Sequence, residues 1–273
     1  MVDNERAIPA LPSQESIAEC MLWQGSLKAI RESNGAAYEL RMFEKNVHLY
    51  IFLKNASEVI EHLDGIRSSL RSGPNVGFDP SASVITAQFD LSRKMFNFLS
   101  SSAMLIDYTR AFMCKHYCET ELMASYLELL RNQVKEDPLC VFIKELRNLG
   151  IHKCIPIHHV GIVRSEDYAH AIDYFDPDDL LSQWSKWNSG ARDYINNMKN
   201  DRENFTITGT VNKYVQKIRK LHRDTDELLK RHHKKDISEL TRLRESHQSK
   251  YHAAWPNWPM SPIESFMPPM DQL

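Results

Sequence analysis

The sequence predicts a mainly α protein: an antiparallel helical bundle with a small β-hairpin insertion and a long C-terminal helical arm. Two observations carry that class. Only nine of the 273 residues are glycine, and apolar side chains recur at three- and four-residue steps over long stretches. Proline- and glycine-bearing breaks fall between those stretches and separate the helices. With 42% hydrophobic residues, a chain of this length buries one substantial core, or one core with an appendage.

Residues 1–13 carry charges and prolines without an apolar stretch, so we expect a flexible N-terminus and no secretory signal. Residues 14–31 read as a first helix, broken at Ser33-Asn34-Gly35. Residues 36–71 read as a second, in which Leu40, Phe43, Val47, Tyr50, Ile51 and Leu53 approximate the 3.6-residue period and mark the expected core face. SGPNVGFDP, residues 72–80, is a loop. A third helix is expected from about Asp90 to Cys118. The fourth starts near Glu119 and must kink or restart at Asp137-Pro138, giving a final segment from Leu139 to His152. A bundle over residues 14–153 follows.

Pro156 ends that segment, and the alternation from Ile155 to Tyr174 predicts a hairpin-like insertion over 154–176. Asp176-Pro177-Asp178-Asp179 is a helix start, with proline in the first turn and acids at the positive end of the dipole. That helix should reach about Met198. Thr208 or Thr210 is expected to cap a last long helix to about Tyr251, so that residues 177–252 pack on or extend the bundle. The tail, residues 253–273, is proline-rich.

No run of about 18 apolar residues occurs, so no membrane partner is expected. The five cysteines (Cys20, Cys114, Cys118, Cys140, Cys154) are odd in number and scattered, which suits reduced thiols and a cytoplasmic location. The net charge of −2 conceals an asymmetry. From Lys213 to Lys250, twelve Lys and Arg face six Asp and Glu, a local +6 that leaves −8 for the rest. A basic arm on an acidic body fits a polyanion, and a solvated helix face produces the same count.

The stretch most laden with chemistry is FIKELRNLGIHKC, residues 142–154. Five arginines stand ahead of a histidine at comparable spacing: Arg41/His48, Arg110/His116, Arg147/His152, Arg164/His170 and Arg242/His247. Of these, Arg147 alone is followed by asparagine, and it lies late in the bundle after several other helices. Arg147-Asn148-Leu149-Gly150-Ile151-His152 resembles the RX4–6H signature of the HEPN superfamily, whose members share a small helical bundle. The resemblance covers the motif and, more loosely, residues 36–152.

It implies a metal-independent endoribonuclease without cofactor, of the toxin or phage-defence kind. The implied partners are RNA, a second copy that pairs its motif with the first, and an antitoxin or regulatory protein. The alternative is a non-catalytic HEPN-like module that binds RNA or protein. In the catalytic reading the 2′-hydroxyl attacks its neighbouring phosphate. His152, near neutral pKa, moves the proton. Arg147 offers a planar cationic fork to the phosphate oxygens, and Asn148, four residues from His152 and on its face, orients the imidazole or substrate. Arg147 and His152 do not share a face: five residues at 100° leave them about 140° apart. A composite site across a homodimer removes that difficulty.

The competing readings are structural. A histidine in a last helical turn suits the dipole on its own. Arg147, by contrast, has no carboxylate three or four residues away, with Phe142, Leu146 and Leu149 defining the core face beside it. Asp107 and Arg110, three apart on the third helix, read as an intrahelical ion pair or as support for the motif. Lys153, His158 and His159, together with Arg231, Lys234 and Lys235, are candidate RNA contacts, with solvated loop and helix surface as the plain alternative. Cys114, His116 and Cys118 do not converge on a helix, so a metal is not expected. Trp184 and Trp187 are expected in the core, while Trp255 and Trp258 suit docking to protein. Walker, GxGxxG, GxSxG and HExxH elements are absent from the sequence.

Overall fold

In a computed structural model, the described residues are 14–71, 80–153, 160–164, 169–200 and 205–254. They are mostly helical: α1 (Gln14–Glu32), α2 (Asn34–Arg71), α3 (Pro80–Tyr117), α4 (Glu121–Leu130), a π-helical turn (Arg131–Lys135), α5 (Pro138–His152), α6 (Pro177–Gln183), α7 (Ser189–Met198), α8 (Ile207–His232) and α9 (Lys234–Ala254). Strands β1 (Val160–Arg164) and β2 (Ala169–Asp173) pair antiparallel, with Val160 opposite Asp173 and Arg164 opposite Ala169. No described helix is long and apolar enough to cross a membrane.

Four helix boundaries differ from the sequence reading. The third helix starts at Pro80 rather than about ten residues later, because proline fits a first turn. The helix expected to run to Met198 is two, since the segment 184–188 leaves the helix for Trp187 to bury and donate its Nε1–H to Leu180 O at 2.9 Å. Asn188 then caps the second piece. The last helix breaks at His233, whose ring packs 4.6 Å from Tyr38 and whose Nδ1 lies 2.8 Å from Asp236 Oδ2. Its start is set by Thr206, whose Oγ1 accepts from Gly209 N at 2.9 Å.

Two compact units result, residues 44–229 and residues 1–43 with 230–273. In the second, α1 packs along α9. Ser26 Oγ lies 2.7 Å from His247 Nδ1. Gly35 admits a close approach there: a Cβ on it would meet Asp236 O and Leu240 Cβ, each at 2.5 Å.

The larger unit is built on a continuous apolar core. Phe52 and Phe98 stack at 5.6 Å, with Tyr214 edge-on to both at 6.0 Å. Phe142 of α5 sits within 5.2–5.9 Å of Phe175, Trp187, Tyr194 and Phe205. These aromatic contacts fix how α5 is rotated. At the end of β2, the Asp173 carboxylate accepts from Arg67 at 2.6 Å and from Thr208 N at 2.9 Å, tying α2 and α8 to the hairpin.

The face of α2 expected in the core is reversed. Of the six residues expected inside, Leu40, Phe43, Val47, Tyr50 and Ile51 are exposed and Leu53 packs against the core, while Phe52, Ala56, Val59 and Leu63 are buried. Lys45 is also on the inner side, fully buried, with Nζ 2.8 Å from Asp226 Oδ1 and 3.1 Å from His222 Nδ1. Burial lowers the Lys45 pKa, against the opposing pull of Asp226.

Candidate functional site

Asp137 begins α5 as its N-cap, accepting from Cys140 N at 3.0 Å, with Pro138 in the first turn. Phe142, Leu146 and Leu149 then bury, as their spacing predicts. With those three inward, Ile143, Lys144 and Arg147 turn to the flank beside α3. A cavity of about 430 Å³ opens there, lined by Ala103, Ile106, Asp107 and Arg110 of α3, by Val134 and Lys135 of the π-helical turn, and by Lys144 and Arg147. That volume lies in the range of pockets that hold a small ligand or one unit of a polymer.

The cavity is apolar below and cationic above. Leu99, Leu130, Val141 and Ile143 line it, as does Tyr214, whose hydroxyl lies 2.5 Å from Ser102 Oγ. Burial raises the Tyr214 pKa and that of Cys140, another lining residue. Both stay neutral, so the depth of the cavity carries no charge. Around it stand Lys135, Lys144, Arg110 and Arg147, against one carboxylate, Asp107. Arg110 reaches Asp107 at 3.2 Å, both side chains being exposed, so the expected ion pair is present and also lines the cavity.

Arg147 is the unusual member. It is half-buried, and its Nε is sealed from solvent without a hydrogen-bond partner among the described residues. A buried guanidinium N–H left without an acceptor costs about 1–3 kcal/mol, and an anion entering the cavity would remove that cost.

The rest of the motif points elsewhere. Asn148 donates its Nδ2–H to Glu145 Oε2 at 3.4 Å, and Asn188 Nδ2 reaches the other oxygen of that buried carboxylate at 3.5 Å. His152, exposed at the last turn of α5, stacks on Trp184 with ring centroids 5.7 Å apart and planes 11° apart. Lys186 Nζ lies over the same indole at 5.7 Å, and Lys153 Nζ donates to Gln183 O. His152 is outside the set of residues that line the cavity. One chain therefore brings Arg147, Arg110 and Asp107 together and leaves His152 on a neighbouring aromatic shelf.

His158 and His159 lie outside the described residues, as do Trp255 and Trp258. Arg231, Lys234 and Lys235 are exposed at the junction of α8 and α9, in the unit that does not contain the cavity. Trp184 and Trp187 are buried, as expected. Lys135, Lys144 and Asn188 were not singled out from sequence. Lys144 stands three residues before Arg147, and that spacing was its available signal. The chain matches no known family model, no curated protein and no solved structure.

Proposed function

We propose that this chain acts on RNA as a metal-independent endoribonuclease of HEPN-like type, with the α3–α5 cavity seating a phosphate. The observation that carries the phosphate reading is Arg147, its buried Nε without a partner among the described residues, facing the cavity beside Arg110 and Lys144. Cationic forks over an apolar floor suit a phosphodiester whose base or sugar enters below. The step of cleavage rests on the resemblance at Arg147, Asn148 and His152. In it the imidazole takes the 2′-hydroxyl proton as that oxygen attacks the adjacent phosphorus, the 5′-oxygen leaves protonated, and a 2′,3′-cyclic phosphate remains.

His152 and the cavity are separate within one chain, so this reading requires a second copy to bring an imidazole to the phosphate. The same separation favours a second reading, an HEPN-like module that binds RNA without cutting it. Asn148, engaged with Glu145, is then a helix-face residue in both readings.

Purified protein incubated with mixed RNA in EDTA separates them. Cleavage that Arg147→Ala and His152→Ala both abolish supports the nuclease. Retention of RNA that only Arg147→Ala weakens supports the binding module. No RNA retention even at low salt removes both readings.

A further inference from the structure

The face of α2 that turns away from the core is as apolar as the face that enters it. Leu40, Phe43, Val47, Tyr50 and Ile51 are exposed by 60, 53, 39, 50 and 37%. Leu40, Phe43, Val47, Tyr50 and Lys54 advance by three, four, three and four residues, the step of a coiled-coil seam. A helix apolar on both faces is incomplete until the outer one is covered.

We propose that a second copy of the chain covers it, α2 against α2, antiparallel, with a two-fold axis passing between His48 and Leu49. Charge selects this register. Two overlaps match seam to seam. One, centred near Lys45, sets Glu44 beside the Glu44 of the second copy, on the same side of the seam. The other, centred between His48 and Leu49, sets Val47 against Tyr50 of the second copy and lays the Lys54 stem over Phe43, its ammonium toward Glu44. Two-fold symmetry makes the Lys54–Glu44 contact twice and the Glu44–Glu44 contact once, and the first register repels where the second attracts. A foreign helix would have no need of Glu44 and Lys54 at places where the two-fold brings each beside the other.

The inference stands on a surface apart from the RNA site, since none of these residues lines the cavity or belongs to the motif, although the nuclease reading also calls for a second copy. Sedimentation equilibrium at micromolar concentration tests it on the full chain, with helical content and melting temperature as the folding control for each exposed substitution. Wild type should be a dimer. Val47→Glu should be a monomer with unchanged melting of the single chain. Glu44→Lys and Lys54→Glu should each raise the dissociation constant about tenfold, through two lost attractions and two new repulsions. The double reversal should return it to the wild-type value. A monomeric wild type, a dimer that survives Val47→Glu, or a double reversal no tighter than either single one overturns the proposal.

Discussion

Lys45, without exposed surface, holds its ammonium 2.8 Å from Oδ1 of Asp226. The pair joins α2 to α8 inside the larger unit. Removing the carboxylate leaves a buried cation whose remaining hydrogen-bond neighbours among the described residues are Asn46 and His222. Asp226→Asn should therefore lower unfolding free energy by about 3 kcal/mol, whereas Lys45→Met, which removes the charge with its stem kept, should cost less. Urea denaturation of both variants checks the order.

His222 neighbours that ammonium, and burial first, then Lys45, holds its pKa well below the ordinary 6.5. The unfolded chain accepts a proton below about pH 6.5 that the folded chain declines. Stability should be full above that pH and fall as pH drops beneath it, by up to about 1.4 kcal/mol per pH unit for this one group. His247, lowered chiefly by burial, adds a loss of the same sign. His222→Asn, which keeps an acceptor for Lys45, should make the acid limb shallower. An unchanged limb would mean that other groups set it.

Arg147 makes no hydrogen bond or ion pair with a described residue, so Arg147→Ala should not destabilise the fold and removes an unsatisfied N–H that costs about 1–3 kcal/mol. RNA affinity should fall across all sequences, with the slope of log affinity against log salt reduced by about 1. Arg110→Ala should do the same. Filter binding over a salt series reads both effects.

His152→Gln should leave the fold intact, because the ring is exposed and, among the described residues, is held by stacking on Trp184. In cleavage assays it should lose about 10²–10⁴ in rate, while RNA retention stays within a few-fold of wild type. Equal loss of retention and cleavage would make His152 a binding group.

Gly35→Ala should destabilise by about 1–3 kcal/mol through overpacking, since its Cβ would meet Asp236 O at 2.5 Å. Gly25→Ala, with nothing near its Cβ, should be neutral or slightly stabilising in the same helical setting. Thermal melts of the pair compare the two positions directly.

Several of these features were legible in the residues alone. Asp176-Pro177 announced a helix start, and the stripe Phe142, Leu146, Leu149 placed the inner face of α5 and so the flank of Arg147. The break at His233 was not legible, because no glycine or proline marks it; a ring contact with Tyr38, almost two hundred residues away, accompanies it. The reversal of α2 has a different cause. Both faces carry apolar residues at helical spacing, and periodicity cannot choose between them. Lys45 even sits on the buried side, where a lysine argues for the opposite choice. In the cavity, Arg147, Asp107 and Arg110 could be named from motif and spacing, while Lys135 could not, because its place depends on a local change of helical winding.

That winding is the turn Arg131–Lys135, where Glu136 N reaches back five residues to Arg131 O at 3.1 Å. The wide turn closes α4, and α5 starts afresh at Pro138 behind its extended N-cap, Asp137; such turns are frequent near functional positions. The turn carries Lys135 to the mouth of the cavity just before the chain leaves the helix for the Asp137 cap, so a change of length between Leu130 and Asp137 would displace the lysine or the cap even with every other amino acid kept. For this stretch, length is under stricter constraint than identity.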